Sequence, residues 1–383
     1  MKRLSGPLLS IATFLICLIF AELFLRFFAP VPDPYEPNKI TNLNRFINKD
    51  RMPNEHVYTQ PEEGMRGISG VNSFSVNNFG FRGDYLIRPK PDNEFRIFML
   101  DASAFECFFL DDSQSVNAIL QNDLNKGITN NLKVKVYNTS VAGARLDENI
   151  SLLVHRIVHL EPDMVILLSG INDLNSSIYG YDYLHYVVIK EKFPLSMLVR
   201  MLASEFQIPR RLYYLIKKAS PKSEKEILEE IPLQFNLAER AKFCASGSFT
   251  DIKPKLNLAA YRNNLKTIIG VARAGNIKLI LMTQPSTWDS SIDPEAKKYH
   301  WMRRYHGLTY REDLMDQALG QFNDITRQLA REYSLPLYDL AKIIPKSLEY
   351  FYDDCHFNVK GSETVGIGLA SFIRENHLLN RSK

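Results

Sequence analysis

From residue 95 onward, short apolar runs alternate with longer segments in which apolar residues recur every three or four positions. The runs Phe95–Leu100, Leu132–Tyr137, Asp163–Leu168, Ile277–Thr283 and Leu335–Leu340 predict strands. The segments Ser113–Lys126, Leu146–Leu160, Leu256–Ala274, Asp313–Tyr333 and Gly361–Asn376 predict helices. Strands that alternate with helices predict a parallel sheet covered on both faces.

Three stretches break this rhythm. Residues 1–29 open with Met1-Lys2-Arg3 and continue as an uncharged apolar run from Leu8 to Ala21, which Glu22 and Arg26 interrupt before Phe27-Phe28-Ala29. A span needs about 20 residues, and Leu8–Ala29 reaches that length if Glu22 and Arg26, spaced i, i+4, pair on one helix face. Lys2 and Arg3 predict a cytoplasmic N-terminus, and hence a body outside the cytoplasm. A cleaved signal peptide is the rival, but cleavage after Ala29 would leave Phe27 where a small residue belongs. Residues 30–94 carry Pro30, Pro32, Pro34 and Pro37 and predict an extended stalk, with Ser73–Arg88 covering an edge of the main domain. Residues 95–383 form the main domain, with an insertion at about 180–255. There Lys217, Lys218, Lys222 and Lys225 cluster around Pro221, 227–230 is partly acidic, and Phe206, Leu212, Tyr213, Tyr214 and Phe235 are interspersed. It reads as a helical elaboration with its own small core, or as a lid or a membrane- or partner-facing element.

Composition excludes little else. A chain of 383 residues with 45% hydrophobic and 23% charged content is long enough for a full core, and a net charge of +4 predicts no nucleic-acid partner. Four cysteines make no disulfide framework, and a bridge between Cys107 and Cys355 stays open.

The chemistry lies in four segments: Asp101-Ala102-Ser103, Val141-Ala142-Gly143, Gly170-Ile171-Asn172-Asp173 and Asp353-Asp354-Cys355-His356. The first three follow predicted strands, at the rim where open parallel sheets bind ligands. A serine hydroxyl needs a base to become a nucleophile, and His356 titrates in the right range. Asp353, three residues earlier, can accept the other ring N–H. The N–H groups of Ser103 and Gly143 and the side-chain amide of Asn172 can receive an oxyanion. Each piece has a duller role. Ser103-Ala104-Phe105-Glu106 is a capping box, Gly143 suits a turn, and Asn172-Asp173 can cap a helix. Asp353 and Asp354 can favour the next helix start, and His356 can be a packed or exposed histidine. Their order and common rim favour one shared active site. His155 and His159 stand four apart but lack a third metal ligand, so no metal is expected.

The order and local sequences resemble the SGNH (GDSL-type) hydrolase superfamily from about Asn77 to the C-terminus, outside the insertion. Phe79-Gly80-Phe81-Arg82-Gly83, Phe95-Arg96-Ile97, Pro162-Asp163, Gly170-Ile171-Asn172-Asp173, Thr283-Gln284-Pro285 and His356-Phe357-Asn358 carry the likeness. The resemblance implies an α/β fold: a three-layer α/β/α sandwich with a mostly parallel, flavodoxin-like sheet. It implies a serine esterase or acyltransferase, with Ser103, Gly143, Asn172 and His356 at the four block positions, Asp353 as the carboxylate, and no metal or organic cofactor. One position departs: Asp101 stands where the serine block usually has glycine. A carboxylate about 6 Å from a developing oxyanion would cost about 3 kcal/mol at an effective dielectric near 20, roughly a hundredfold in rate, unless it points away, caps a loop or binds a substrate hydroxyl.

The expectation is a membrane-anchored, extracytoplasmic serine esterase on carboxylic esters, O-acetyl esters included, of a glycan or lipid. The alternatives are an O-acyltransferase on an envelope or extracellular glycan, and a non-catalytic glycan-binding or assembly protein. Protein partners are not readable from the sequence.

Overall fold

The computed structural model describes residues 6–31, 47, 50–62, 65–126, 128, 131–180, 202–203, 205–217, 233–234, 237–289 and 291–380. Expectations for Pro32, Pro34 and Pro37, and for Lys218, Pro221, Lys222, Lys225, 227–230 and Phe235, lie outside them. The chain divides into two units, one of Met1–Lys39 with Ile189–Ile231, the other of Ile40–Val188 with Pro232–Lys383.

The larger unit is built on five parallel strands: β1 (Glu94–Leu100), β2 (Lys133–Asn138), β3 (Met164–Ser169), β4 (Lys278–Thr283) and β5 (Leu337–Tyr338). Their spatial order is β2-β1-β3-β4-β5, the flavodoxin-like arrangement. Register pairs Met99 with Asn138, Leu100 with Leu167, and Ser169 with Thr283, so the strands end at one rim.

Successive strand residues point to opposite faces, and both faces are covered. Ile97 and Met99 of β1 join a core with α3 (Val116–Lys126) and α8 (Val359–Glu375). Phe98 and Leu100 join the opposite core, with α4 (Leu146–His155), α6 (Leu258–Ala274) and α7 (Glu312–Glu332). This is a three-layer α/β/α sandwich, and it explains why the strand runs are apolar almost throughout.

Three elements differ from their sequence patterns. The predicted helix Ser113–Lys126 begins at Val116, after a 3-10 turn at Asp112–Gln114 and an extended Ser115. The predicted helix Leu146–Leu160 ends at His155; Arg156 turns to φ −133°, and Ile157–Leu160 continues as a tighter 3-10 turn. The last strand shortens to Leu337–Tyr338, because Asp339 starts a one-turn helix at Leu340. Upstream of β1, Arg82 bridges antiparallel to Asn138 on edge strand β2, and Asn72–Ser75 pairs with His56–Gln60.

The smaller unit contains α1 (Gly6–Phe28) and the helix Gln207–Lys217. Within α1, Leu8–Phe28 is long and apolar enough to cross a membrane, and none of it is buried.

Candidate active site

Each candidate residue lies at the carboxyl rim of the sheet or in the loop before α8. Ser103 is the first residue of a one-turn helix, α2 (Ser103–Glu106), directly after β1. It is not the cap of that turn: Ala102 occupies the cap position, and the Asp101 carboxylate accepts the Phe105 N–H at 2.7 Å. The hydroxyl is therefore released from the capping-box role and donates to His356 Nε2 at 2.7 Å.

The turn is braced from upstream. Arg82 donates from Nη1 to the carbonyls of Glu106 (2.9 Å) and Cys107 (2.7 Å), and from Nη2 to Leu110 (2.5 Å). Buried Arg51 forms an ion pair with buried Glu106. Asn138 at the end of β2 donates to the Phe105 carbonyl at 2.5 Å.

The candidate base, His356, sits on a closed loop. Phe351 and Phe357 form an antiparallel bridge, and Tyr352 N–H donates to the His356 carbonyl at 3.0 Å. Inside it, Asp353 Oδ1 accepts the N–H of Cys355 (3.0 Å) and of His356 (2.9 Å), a local turn that only a short carboxylate or amide can close. The same carboxylate accepts His356 Nδ1–H at 2.7 Å through Oδ2 and 2.8 Å through Oδ1. With Nδ1 carrying the proton, Nε2 is the acceptor that faces Ser103.

Burial works against the charge on Asp353, but His356, the Trp301 indole and the Cys355 N–H outweigh it and hold the carboxyl below its usual range. Burial likewise pushes the His356 imidazole down, yet the Asp353 carboxylate overrides this and raises it well above the usual value. Burial pushes Asp101 up to about 7, against the N–H groups of Phe105 and Ala102 and the charge of His356. The departure from glycine thus has a structural role: the Asp101 carboxylate faces the amides that open the nucleophile turn.

Gly143 lies in the loop after β2 and Asn172 in the helix that follows β3. Val141–Ala144 closes a turn, Ala144 N–H to Val141 carbonyl at 3.0 Å, with Gly143 at φ +71° where glycine is favoured. Gly170 leaves β3 at φ +143°, and a Cβ there would press on Gln284 Cβ at 3.3 Å. Asn172, in the first turn of α5 (Ile171–Ile178), donates from Nδ2 to the Ala144 carbonyl at 3.0 Å, which ties it to the Gly143 loop and leaves its second amide hydrogen. Its neighbour Asp173 accepts Leu146 N–H at 3.2 Å, so it is Asp173 that assists a helix start.

Residues the sequence did not flag complete the surroundings. Trp301 Nε1 donates to Asp353 Oδ2 at 2.8 Å, and its ring lies parallel to the imidazole with centroids 6.3 Å apart. Tyr352 is also near-parallel to it, at 5.4 Å. Asp354 holds the Trp301 loop, accepting Trp301 N–H at 2.7 Å and Trp288 Nε1–H at 2.6 Å. The exposed Arg240 places its guanidinium 4.8 Å from the Trp301 ring centroid. The signal available in the sequence was sparse: two tryptophans in the chain and, of its two Asp-Asp pairs, Asp353-Asp354 to receive them.

Donor atoms of Asp353, Cys355 and His356 lie within 4.8 Å of one another. Their chemistry suits the hydrogen-bond chain better than an ion. His356 Nδ1 is engaged by Asp353, and burial pushes the Cys355 thiol up to about 11, away from the thiolate a metal would need. His155 and His159 are both exposed and belong to separate elements. All four cysteines are free, so Cys107 and Cys355 are not bridged.

No family model matches the chain, and no curated protein does. Solved structures do match. A lipase/acylhydrolase from Enterococcus faecalis is 15% identical, covers 76% of this chain and 99% of its own, and has a TM-score of 0.41. Axe2, an acetylxylan esterase from Geobacillus stearothermophilus, is 14% identical over 76% of this chain and 97% of its own, with a TM-score of 0.40. A putative GDSL-like lipase from Parabacteroides merdae is 12% identical over 76% and 98%, also with a TM-score of 0.40. The fold assignment rests on strand order and layer packing, and the functional reading on the distances at Ser103, His356 and Asp353.

Proposed function

We propose that this protein is a membrane-anchored serine esterase whose catalytic unit faces away from the cytoplasm. One observation carries the chemistry: an unbroken hydrogen-bond chain from Ser103 Oγ through His356 Nε2 and Nδ1 to Asp353, with both links at 2.7 Å. Such a chain lets a hydroxyl attack a carbonyl carbon while its proton passes to the imidazole.

In the proposed reaction Ser103 Oγ bonds to the ester carbonyl carbon, and His356 Nε2 takes the hydroxyl proton. The carbonyl oxygen becomes an oxyanion, received by the N–H groups of Ser103 and Gly143 and the Asn172 amide. The Ser103 N–H opens a helix and has no intrahelical acceptor by position. Collapse breaks the bond to the alcohol oxygen, which leaves with the proton from His356. Water repeats the sequence on the acyl-serine, releasing the acid and restoring Ser103. Asp353 stays ionised throughout and balances the imidazolium.

The Asp101 carboxylate weighs less against this chemistry than its position in the sequence suggests. It is turned to the Phe105 amide of α2, whose N–H it accepts at 2.7 Å. The substrate class we favour is an O-acetyl or other acyl ester on an extracytoplasmic glycan or lipid, because Leu8–Phe28 can hold the unit at a membrane and Lys2-Arg3 precede it.

Labelling with a fluorophosphonate probe tests the reading. The folded protein is expected to label and Ser103→Ala to remain unlabelled. An unlabelled wild type, beside a labelled control hydrolase, would replace catalysis with a glycan-binding or assembly role. Product analysis with and without sugar acceptors then separates hydrolysis from acyl transfer, which share the first half-reaction.

A further inference from the structure

The two charges inside the apolar N-terminal helix bind the second helix of the same unit. Glu22 accepts the N–H groups of Gln207 (2.7 Å) and Ile208 (2.9 Å), the opening amides of Gln207–Lys217. Arg26 donates to the Glu205 carbonyl at 2.6 Å. The chain just beyond α1 completes the clamp: Gln207 Oε1 accepts Val31 N–H at 2.7 Å, Arg210 donates to the Val31 carbonyl at 2.8 Å, and Arg211 donates to the Ala29 carbonyl. A carboxylate within a span is costly unless partnered. Here it is matched by free amides and the positive end of a helix.

The second helix is amphipathic in the way a membrane surface demands. Ile208, Leu212, Leu215 and Ile216 fall on one face, at i, i+4, i+7 and i+8. Within the stripe Leu212 is 54%, Leu215 75% and Ile216 69% exposed. Arg210, Tyr214 and Lys217 lie on the opposite face. In water such a stripe is a liability, but it is tied to a helix whose own apolar surface is equally uncovered. Glu22 precedes the end of α1 by six residues, roughly 9 Å of helix, and interfacial helices bury their apolar face about 5–10 Å deep.

We infer that Gln207–Lys217 lies in the interfacial layer of the membrane that α1 crosses, its Ile208-Leu212-Leu215-Ile216 stripe against lipid acyl chains. The partner of this surface is the bilayer, and the contact is continuous with that of α1. The clamp requires that α1 be retained, because cleavage after Ala29 would remove both Glu22 and Arg26. The inference rests on α1 being a membrane span and is independent of the ester chemistry.

Environment-sensitive fluorophores on single exposed cysteines, with Cys107, Cys244 and Cys355 buried, test it in the full chain, reconstituted in vesicles of phosphatidylcholine with phosphatidylglycerol. The variants are Leu215→Cys, Lys217→Cys and Phe14→Cys, each in a Cys17→Ser background. Phe14 and Leu215 are on exposed helix surface, so folding is not at stake there. The Leu215→Cys reporter is expected to be several-fold brighter than the Lys217→Cys reporter, and to be quenched by nitroxide lipids and not by aqueous iodide. If it is aqueous while the Phe14→Cys reporter is in lipid, the interfacial helix is refuted and the span stands. If both are aqueous, the span fails and the inference falls with it. Neither outcome bears on Ser103 labelling.

Discussion

Trp301 Nε1 donates a 2.8 Å hydrogen bond to Asp353 Oδ2, so the carboxylate that orients His356 is held by a residue 52 positions away. Asp354 fixes the Trp301 backbone in turn. Two adjacent acids therefore divide the labour, one holding the base and the other holding the donor that steadies the first.

Replacing Trp301→Phe keeps a ring beside His356 and removes one charge-assisted hydrogen bond, worth about 1.5–3 kcal/mol. With one donor fewer, Asp353 becomes more basic and holds the imidazolium more tightly. His356, already raised well above its usual value, rises further. In the proposed reaction the neutral imidazole is the base, so the acid limb of kcat/KM, expected above the ordinary imidazole value of about 6.5, should move to higher pH. A pH–rate series on an activated ester reads the shift. A loss of stability with the limb unmoved would reduce Trp301 to packing.

Asn172→Ala removes the proposed side-chain oxyanion donor. A loss of one such donor lowers kcat by about 10²–10³, so steady-state kinetics should show that fall with KM little changed and with slow labelling still dependent on Ser103. A kcat within a few-fold of wild type would exclude Asn172 from the oxyanion site.

Asp101→Asn tests the acid beneath the nucleophile turn. Burial raises this carboxyl to about 7 when folded, against about 3.9 unfolded. Between those values the folded state binds the extra proton, so Asp101 makes stability fall as pH rises through the window. Asparagine does not titrate. The thermal midpoint of Asp101→Asn, measured on detergent-solubilised protein against wild type, should therefore gain with pH from about 4 to about 7 and then level off. A difference independent of pH would contradict a buried acid whose carboxyl is raised by desolvation.

The fold was legible because its strands are covered on both faces, leaving apolar runs such as Phe95–Leu100 that helical periods separate. The pairing of Asp353 with His356 was legible because three residues on a tight loop cannot stray far apart. Trp301 was not, since it lies in an irregular segment whose position is set by the Asp354 carboxylate, and no periodicity reports such a bond. Nor was the direction of Asp101: one side-chain rotation decides between facing an oxyanion and facing the Phe105 amide. The break at Arg156 escaped for a similar reason, as Ile157 and Leu160 keep the apolar spacing while the backbone tightens into a 3-10 turn.

The Arg82 guanidinium, which receives no substrate and lies before the first sheet strand, holds the carbonyls of Glu106, Cys107 and Leu110 behind the serine. Arg51 reaches the same turn through Glu106. A soluble fragment cut at the start of the repeating sheet would therefore keep every reacting group and lose the backing of its nucleophile. A fragment that keeps this backing has to begin upstream of Arg51, inside what the sequence presents as a tether.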